Sequence, residues 1–489
     1  MIVRRYFDTR RSTVEERESI VNVLFRLGLI HVNATVDYKK SVLLATSLSY
    51  VIVILDTSIV NVALARIAAT LASDISGLQW VVNAYTLTFA SLLLTGGALG
   101  DRCGARNIYL VGLLIFAAAS TLCGFAPDLT TLVIARVAQG VGAALLVPCS
   151  LTLISQAYSD SQERAGAISV WAGCGGVAMA AGPLVGGLLI YWFGWRIIFL
   201  ANVPIAICGA WLTTRIPAAA PTQRSAQTDV AGQLAAFAAL GSSVAVLIEG
   251  AKRGWLSAPI LVGIVVAVVA WLSFVAIEWR RSQPMLPLGL FRSAVFSASV
   301  FVSLISALIF YGLLFLLGLY FQGNRGWLPL QTGLAFLPLT ITVTAGSFAA
   351  GHLCRMYGAS RVVACGFLLY AAGFVGLVAL AGEAPYWRIA VCFPPIGFGS
   401  GLITPAVTAA MMSTVEKTRA GIAVGVLNAS RQCGSAFGVA IFGLLLSTVQ
   451  PAGAGVRTAV TLAVALSLSA ALLWRMTLTR AARASEVAV

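Results

Sequence analysis

The chain reads as long apolar runs separated by short polar punctuation, and each run has about the length that one helix needs to cross a bilayer. A helix rises 1.5 Å per residue, so about 20 apolar residues cover a hydrocarbon core of about 30 Å. Fourteen runs meet that requirement, at residues 41–65, 78–99, 107–126, 129–154, 165–192, 197–213, 230–249, 258–277, 294–321, 330–351, 361–382, 390–412, 421–449 and 457–476. A second pattern overlies the first. Gly97-Ala-Leu99-Gly-Asp101-Arg102-Cys-Gly104-Ala-Arg106 follows run two, and about 255 residues later it returns as Gly351-His-Leu353-Cys-Arg355-Met-Tyr-Gly358-Ala-Ser-Arg361. Gly140-x-Gly142 with Pro148 returns as Gly397-x-Gly399 with Pro405, and Arg164-Ala-Gly166 as Arg419-Ala-Gly421. The echo pairs run two with run ten, so runs seven and eight are an insertion into a six-plus-six plan. The predicted fold is an all-α membrane protein: a bundle at 41–213, linkers with two inserted helices at 214–293, a second bundle at 294–476, and tails at 1–40 and 477–489. Parallel repeats of this kind build transporters whose site lies between two bundles that rock against each other.

Composition sharpens this reading. With 59% hydrophobic and 10% charged residues and a mean hydropathy of +0.92, a soluble globular class is excluded. A net charge of +15 would raise nucleic acid as a partner in a soluble protein, but the distribution of charge speaks against one. With a cytoplasmic N-terminus, 23 Lys and Arg fall on the cytoplasmic side, 7 on the opposite side and 2 within runs. That asymmetry is the one that fixes topology in an inner (plasma) membrane, with both termini cytoplasmic. Residues 1–40 lack a secretory apolar core, and read either as a short tail with an amphipathic stretch at 20–30 or as a start codon placed too early. The nine cysteines are scattered without a CxxC pair and the two histidines stand apart. Neither a metal site nor a disulfide framework is expected.

Ionisable groups inside lipid are costly unless paired or facing water, so each is a candidate for function. Asp56 in run one and Arg136 in run four come to similar depth, about 22 Å and about 20 Å up from the cytoplasmic side. Two readings stand: a carboxyl tuned by its cation to bind and release a proton, or a fixed ion pair locking two helices. Arg431 is central in run thirteen, beside Asn428, and reads either as a packing donor or as a substrate or gating residue. Glu249 with Lys252, Arg253 and Trp255 reads as an interfacial anchor. Run five carries Gly173, Gly176, Gly182, Pro183, Gly186 and Gly187, a small-residue face for close helix approach with a bend at the proline. In the short loop after run two, Asp101 is expected to be favoured by the positive end of the next helix, and to hold one conformation by pairing with the other half. Gln79, Asn83, Tyr85, Trp171, Tyr311 and Phe315 are candidates for lining a cavity, as aromatic surfaces with few polar groups suit amphipathic ligands. No nucleophile, metal cluster or catalytic carboxylate pair suggests an enzyme, and no GxxxxGK[ST] loop suggests ATP-driven transport.

Taken together these motifs resemble the major facilitator superfamily, and the helix count resembles its fourteen-helix drug-proton antiporter branch, which includes methylenomycin-resistance-like multidrug exporters. Gly97 to Arg106 resembles the loop between helices two and three, with Gly97, Asp101, Arg102, Gly104 and Arg106 as its gating residues. Arg136-Val-Ala-Gln139-Gly140-Val-Gly142 resembles the helix-four motif in which the arginine is implicated in proton transfer. Gly176 with Gly182-Pro183-Leu-Val-Gly186-Gly187 resembles the helix-five motif of antiporters. Leu55-Asp56-Thr-Ser-Ile-Val-Asn61 resembles the helix-one motif of the branch, and Trp195 to Pro204 and Asn428-Ala-Ser-Arg431-Gln432 also fit it. Ala65, Ala105 and Arg355 depart from the pattern, standing where proline, a basic residue and an acid are usual. The resemblance implies a monomeric exporter of lipophilic drugs or antibiotics, driven by the proton motive force without a cofactor. Some members of the branch that expel divalent organic cations use a further membrane carboxylate in the second half; none lies in the second-half runs here, so the resemblance favours neutral or singly charged compounds. Export of one endogenous metabolite (amino acid, siderophore or secreted antibiotic) is the alternative, and a non-transporting sensor a further one.

Overall fold

A computed structural model describes residues 34–217, 229–281, 286–380, 384–416, 420–449 and 451–487. Residues 1–33 of the expected tail, most of the linker at 215–228, and Arg419 lie outside the described residues. Among the described residues, fourteen helices are long and apolar enough to cross a membrane. They are α1 (Ala34–Leu71), α2 (Ile75–Cys103), α3 (Ala105–Gly124), α4 (Leu129–Ala157), α5 (Ser161–Phe193), α6 (Ile197–Thr214), α7 (Val230–Arg253), α8 (Ala258–Arg280), α9 (Ala294–Leu319), α10 (Pro329–Tyr357), α11 (Ala359–Leu380), α12 (Tyr386–Met412), α13 (Ala420–Thr448) and α14 (Ala452–Val487).

The helix ends follow from local chemistry. Asp74, Asp128, Asp160 and Asp229 each sit just before a helix and accept from its first free backbone N–H groups, the preferred use of aspartate at a positive helix end. Helix α1 begins inside the expected tail and ends at Leu71 rather than 65, because Ala65 leaves no breaker where a proline would stop it. Likewise α14 runs through the expected C-terminal tail to Val487. Helix α10 is interrupted at Phe336, and α9 is continued by a π turn at Tyr320–Asn324.

The repeat is visible in the packing. Helix α1 packs on α5 as α9 packs on α13, α2 on α4 as α10 on α12, and α3 on α4 as α11 on α12. Let the near end be the one where α1 starts; odd-numbered helices then run from near to far. The two bundles meet tightly at the far end. Gln79 Nε2 donates to the carbonyls of Val439 (2.9 Å) and Ala440 (2.8 Å), and Gln322 Nε2 donates to Val62 O (3.0 Å). Gly187 and Gly333 let the backbones of α5 and α10 touch. Toward the near end, α5 and α10 part: Gly173, Gly176 and Gly351 face open space where a side chain would stand. A cavity of about 630 Å³ opens there, lined by Val51 and Leu55 of α1, Gly173, Cys174 and Val177 of α5, and Phe348 of α10.

The inserted pair lies against α2 and α13. Apolar residues Leu240, Val244 and Ile248 of α7 pack on Leu87 of α2 and on Ala436 and Ala440 of α13. Its polar contacts go to the first bundle: Trp80 Nε1 donates to Glu249 (3.1 Å), Lys252 pairs with Asp74 (2.7 Å), and Gln233 donates to Ser91 O. Glu249 therefore keeps Arg253 as its local cation (2.9 Å), whereas Lys252 turns to α2. The Lys252 ammonium, aided by the Gly77 N–H, holds the Asp74 carboxyl below its ordinary range. A lowered carboxyl stabilises the fold above its unfolded value and loses that contribution as pH falls through its folded value. The contact is therefore complete across about pH 5 to 8. Thermal midpoints of the protein and of Asp74→Asn are expected to run parallel over that range and to converge only below about pH 4.

Candidate functional site

The charged centre is built from five helices of the first bundle. Asp56 of α1 is fully buried and Arg136 of α4 is 1% exposed. The guanidinium donates through Nη1 to Asp56 Oδ2 and to Gln139 Oε1 (2.9 Å), and through Nε to Val81 O of α2 (3.0 Å). Asp56 Oδ1 accepts from Gln139 Nε2 and from Asn202 Nδ2 of α6, each at 3.2 Å. Gln139 is held in turn by Ser120 of α3 (2.8 Å). The Tyr85 ring lies under the guanidinium at 4.3 Å and Phe199 flanks it at 5.7 Å. Such a pair needs this many partners, since desolvating two ions costs several kcal/mol each unless hydrogen bonds satisfy them. Chemically the site is one carboxylate with three donors, sealed from water.

A second, aromatic cluster lies nearer the cavity. Tyr50 of α1 and Trp171 of α5 stack with ring centroids 3.7 Å apart, and Gly175 leaves the room Tyr50 needs. Tyr311 of α9 is partly buried and packs edge-on against Phe310. Arg431 is partly buried on α13.

Several candidates fall elsewhere. Gln79 clamps the two bundles instead of facing the cavity. Tyr85 supports Arg136 and bonds to Val53 O (3.3 Å), and fully buried Phe315 packs in the apolar seam with Leu55, Ile59 and Val439. Asn83 is fully buried, with neither amide atom hydrogen-bonded. Asn428 is half-buried on α13. Gly182 and Gly186 press on Ser58 and Ile59 of α1 and Gly187 on α10, with Pro183 beside Gly333. Gly176, by contrast, faces open space and takes no part in that close approach.

Asp101 belongs to the last turn of α2, whose own dipole disfavours it, and not to the start of α3. Arg106 donates to Thr213 O (3.2 Å) and Thr214 O (3.0 Å) at the end of α6, so it ties the loop within its own bundle. Arg102 is exposed, and Gly97 makes ordinary contact with Pro148 (3.6 Å). Gly104 joins two helices at φ +89°, a conformation costing other residues about 1 to 3 kcal/mol. Gly104→Ala is expected to lower stability by that amount, read as a reduced thermal midpoint in detergent.

The Major Facilitator Superfamily family model matches residues 46–439 and, again, 299–488. The chain belongs to that superfamily. Among curated relatives of this superfamily member, the methylenomycin A resistance protein of Streptomyces coelicolor is 37% identical, over 82% of this chain and 84% of the relative. The protein of the same name from Bacillus subtilis is 36% identical over 89% and 93%, and the tetracenomycin C resistance and export protein of Streptomyces glaucescens 31% over 83% and 76%. Solved structures share the fold: the nucleoside transporter NupG in mutant form (TM-score 0.63, 12% identity, 89% of this chain and 99% of that one) and the xylose transporter XylE from E. coli (0.62, 14%, 90% and 98%). The superfamily member is thus a multi-pass membrane protein of a transporter fold. Gln139 and Asn202 lie within the quoted motifs, but their role comes from contacts with Asp56. Gln139 stands three residues after Arg136 on one helix face, a spacing that brings the two side chains together. Asn202, 146 positions from Asp56, and Tyr50, an aromatic in an apolar run, carried no local signal.

Proposed function

We propose that this protein is a plasma-membrane antiporter that exports lipophilic drugs or antibiotics in exchange for protons. Support for drug export comes from the named resistance and export functions of the relatives. Support for proton coupling is one observation: a buried carboxylate, Asp56, held by Arg136, Gln139 and Asn202 in the middle of a membrane bundle. Protonation of Asp56 would release Arg136 and free both donors, rearranging α1 against α4 and α6. With the near end cytoplasmic, as the excess of positive charge there favours, the structure corresponds to an inward-open state. Asp56 in this state is ion-paired, as a carrier is after giving its proton to the cytoplasm. Substrate would enter between α5 and α10, and closure of that gap with opening of the far end would complete the cycle.

The test is efflux of ethidium and a panel of antibiotics from proteoliposomes with an imposed pH gradient. Efflux that collapses when the gradient is dissipated supports exchange with protons. Efflux indifferent to the gradient would remove proton coupling while leaving export, and no efflux of any compound would remove drug export.

A further inference from the structure

We infer that Asn202 is the hydrogen-bond acceptor for protonated Asp56: its side-chain amide donates to the carboxylate in the ion-paired state, and turns over to accept from the carboxylic acid once the proton is bound. The inference rests on the reading of Asp56 as the proton carrier, and gives α6 a part in the exchange that the ion pair alone does not require.

Asn202 is fully buried, and its side chain is used by halves. Nδ2 donates to Asp56 Oδ1 at 3.2 Å, whereas Oδ1 has no hydrogen-bond partner among the described residues. A buried acceptor left without a donor is costly, so the idle oxygen calls for a state in which it is used. The neighbouring amide is held quite differently. Gln139 Oε1 accepts from Arg136 Nη1 (2.9 Å) and Cys123 Sγ (3.4 Å), while its Nε2 donates to Ser120 Oγ (2.8 Å) and to Asp56 (3.2 Å). Turning Gln139 over would break four hydrogen bonds. Turning Asn202 over breaks one, about a terminal torsion whose profile is broad and roughly two-fold.

A proton arriving from water adds to a carboxylate lone pair of Asp56 and leaves a neutral acid with one O–H donor. On Oδ2 that hydrogen faces Arg136 Nη1, and on Oδ1 it faces the amide N–H groups of Gln139 and Asn202. Every group around the carboxyl is a donor. A buried O–H aimed at donors is unsatisfied, and the Asn202 amide removes the conflict by presenting its idle Oδ1. The α1–α6 contact then reverses its direction of donation while the α1–α4 ion pair is lost. No titratable or charged group nearby takes this part. Arg136 of α4 has no acceptor, Cys123 of α3 is bonded to Gln139 and Tyr85 of α2 to Val53 O. Cys174 of α5 lines the cavity, and α6 has no ionisable residue within a turn of Asn202. Tyr311 of α9 comes to about this depth, because Gly318 abuts Asn61 O, but it is not among the partners of Asp56.

The experiment is infrared difference spectroscopy of the full-length protein in lipid films as pH is stepped, with asparagine carrying carbon-13 at Cγ. The carboxylic C=O band that appears on acidification, and is missing from the double variant Asp56→Asn with Arg136→Gln, reports Asp56. In step with that band, a labelled amide C=O band of the wild type should move to lower wavenumber, as a carbonyl does on becoming an acceptor. Asn202→Leu should abolish the amide shift and move the Asp56 band to higher wavenumber. Asn202→Ser, whose hydroxyl both donates and accepts, should bring the Asp56 band part of the way back. An amide band that stays in place while Asp56 takes its proton overturns the proposal, and this is read in the wild type whether or not the variants fold. An Asp56 band at the same position in the wild type and in Asn202→Leu overturns it as well. If no Asp56 band appears between about pH 4 and 9, the proton-carrier reading fails and takes this inference with it; once the band is present, the inference fails alone.

Discussion

Asp56→Asn is expected to abolish efflux driven by a pH gradient, and to destabilise the protein by about 3 to 5 kcal/mol. The two effects have separate causes. Asparagine cannot carry the proton, and it leaves the Arg136 guanidinium, 1% exposed, as an uncompensated cation in a dry site. Removing both charges should cure only the second effect, since replacing a whole buried pair with neutral groups is often close to neutral. The double variant Asp56→Asn with Arg136→Gln should therefore recover most of the thermal midpoint lost by the single variant and still fail to couple. If the double variant regains gradient-driven efflux, Asp56 is a structural lock and the proton travels elsewhere. Gradient-driven efflux undiminished in the single variant would lead to the same conclusion.

A valine at Gly333 should trap the transporter with its far end open. A Cβ there would run into the Pro183 carbonyl, with its carbon at 2.9 Å and the Leu184 Cα at 3.3 Å. These are backbone atoms of α5 and cannot rotate away. Overpacking of this kind costs about 1 to 3 kcal/mol or more, comparable to the few kcal/mol that separate the states of a two-state protein. Closure of the far end is the state in which α5 and α10 touch, so that state bears the whole penalty. Cys174 lines the near-end cavity and reports on it. In a variant retaining Cys174 as its sole cysteine, Gly333→Val should slow maleimide labelling at that position about tenfold or more, with efflux lost in parallel. Labelling and efflux at wild-type rates would show that the α5–α10 contact does not govern which end is open.

Motif residues on one helix were easier to place than residues that act between helices. Arg136 and Gln139 share a turn, and their partnership follows from helical periodicity alone. The Asp56 pairing was legible through depth, since counting residues along two spans brings both charges to one level. Gln79 and Phe315 were misplaced for a different reason. A polar or aromatic residue on an inward face looks the same in sequence whether it meets a cavity or the opposite bundle, and only the approach of α13 and α9 decides between them. Gly176 and Gly182 are one motif in sequence, yet one faces open space and the other faces α1.

The lipid environment, the fourteen spans, the repeat with its insertion, and a carboxylate and an arginine at matching depth are all legible in the order of residues. Those features depend on hydropathy and periodicity summed over many neighbouring residues, which survive without knowledge of contacts. The contacts between helices settle that Gln139 and Asn202 complete the Asp56 site, and that the bundles touch at one end and part at the other. Each of these is a matter of a few ångströms between helices remote in the chain, where a turn of rotation about a helix axis exchanges a partner for a void.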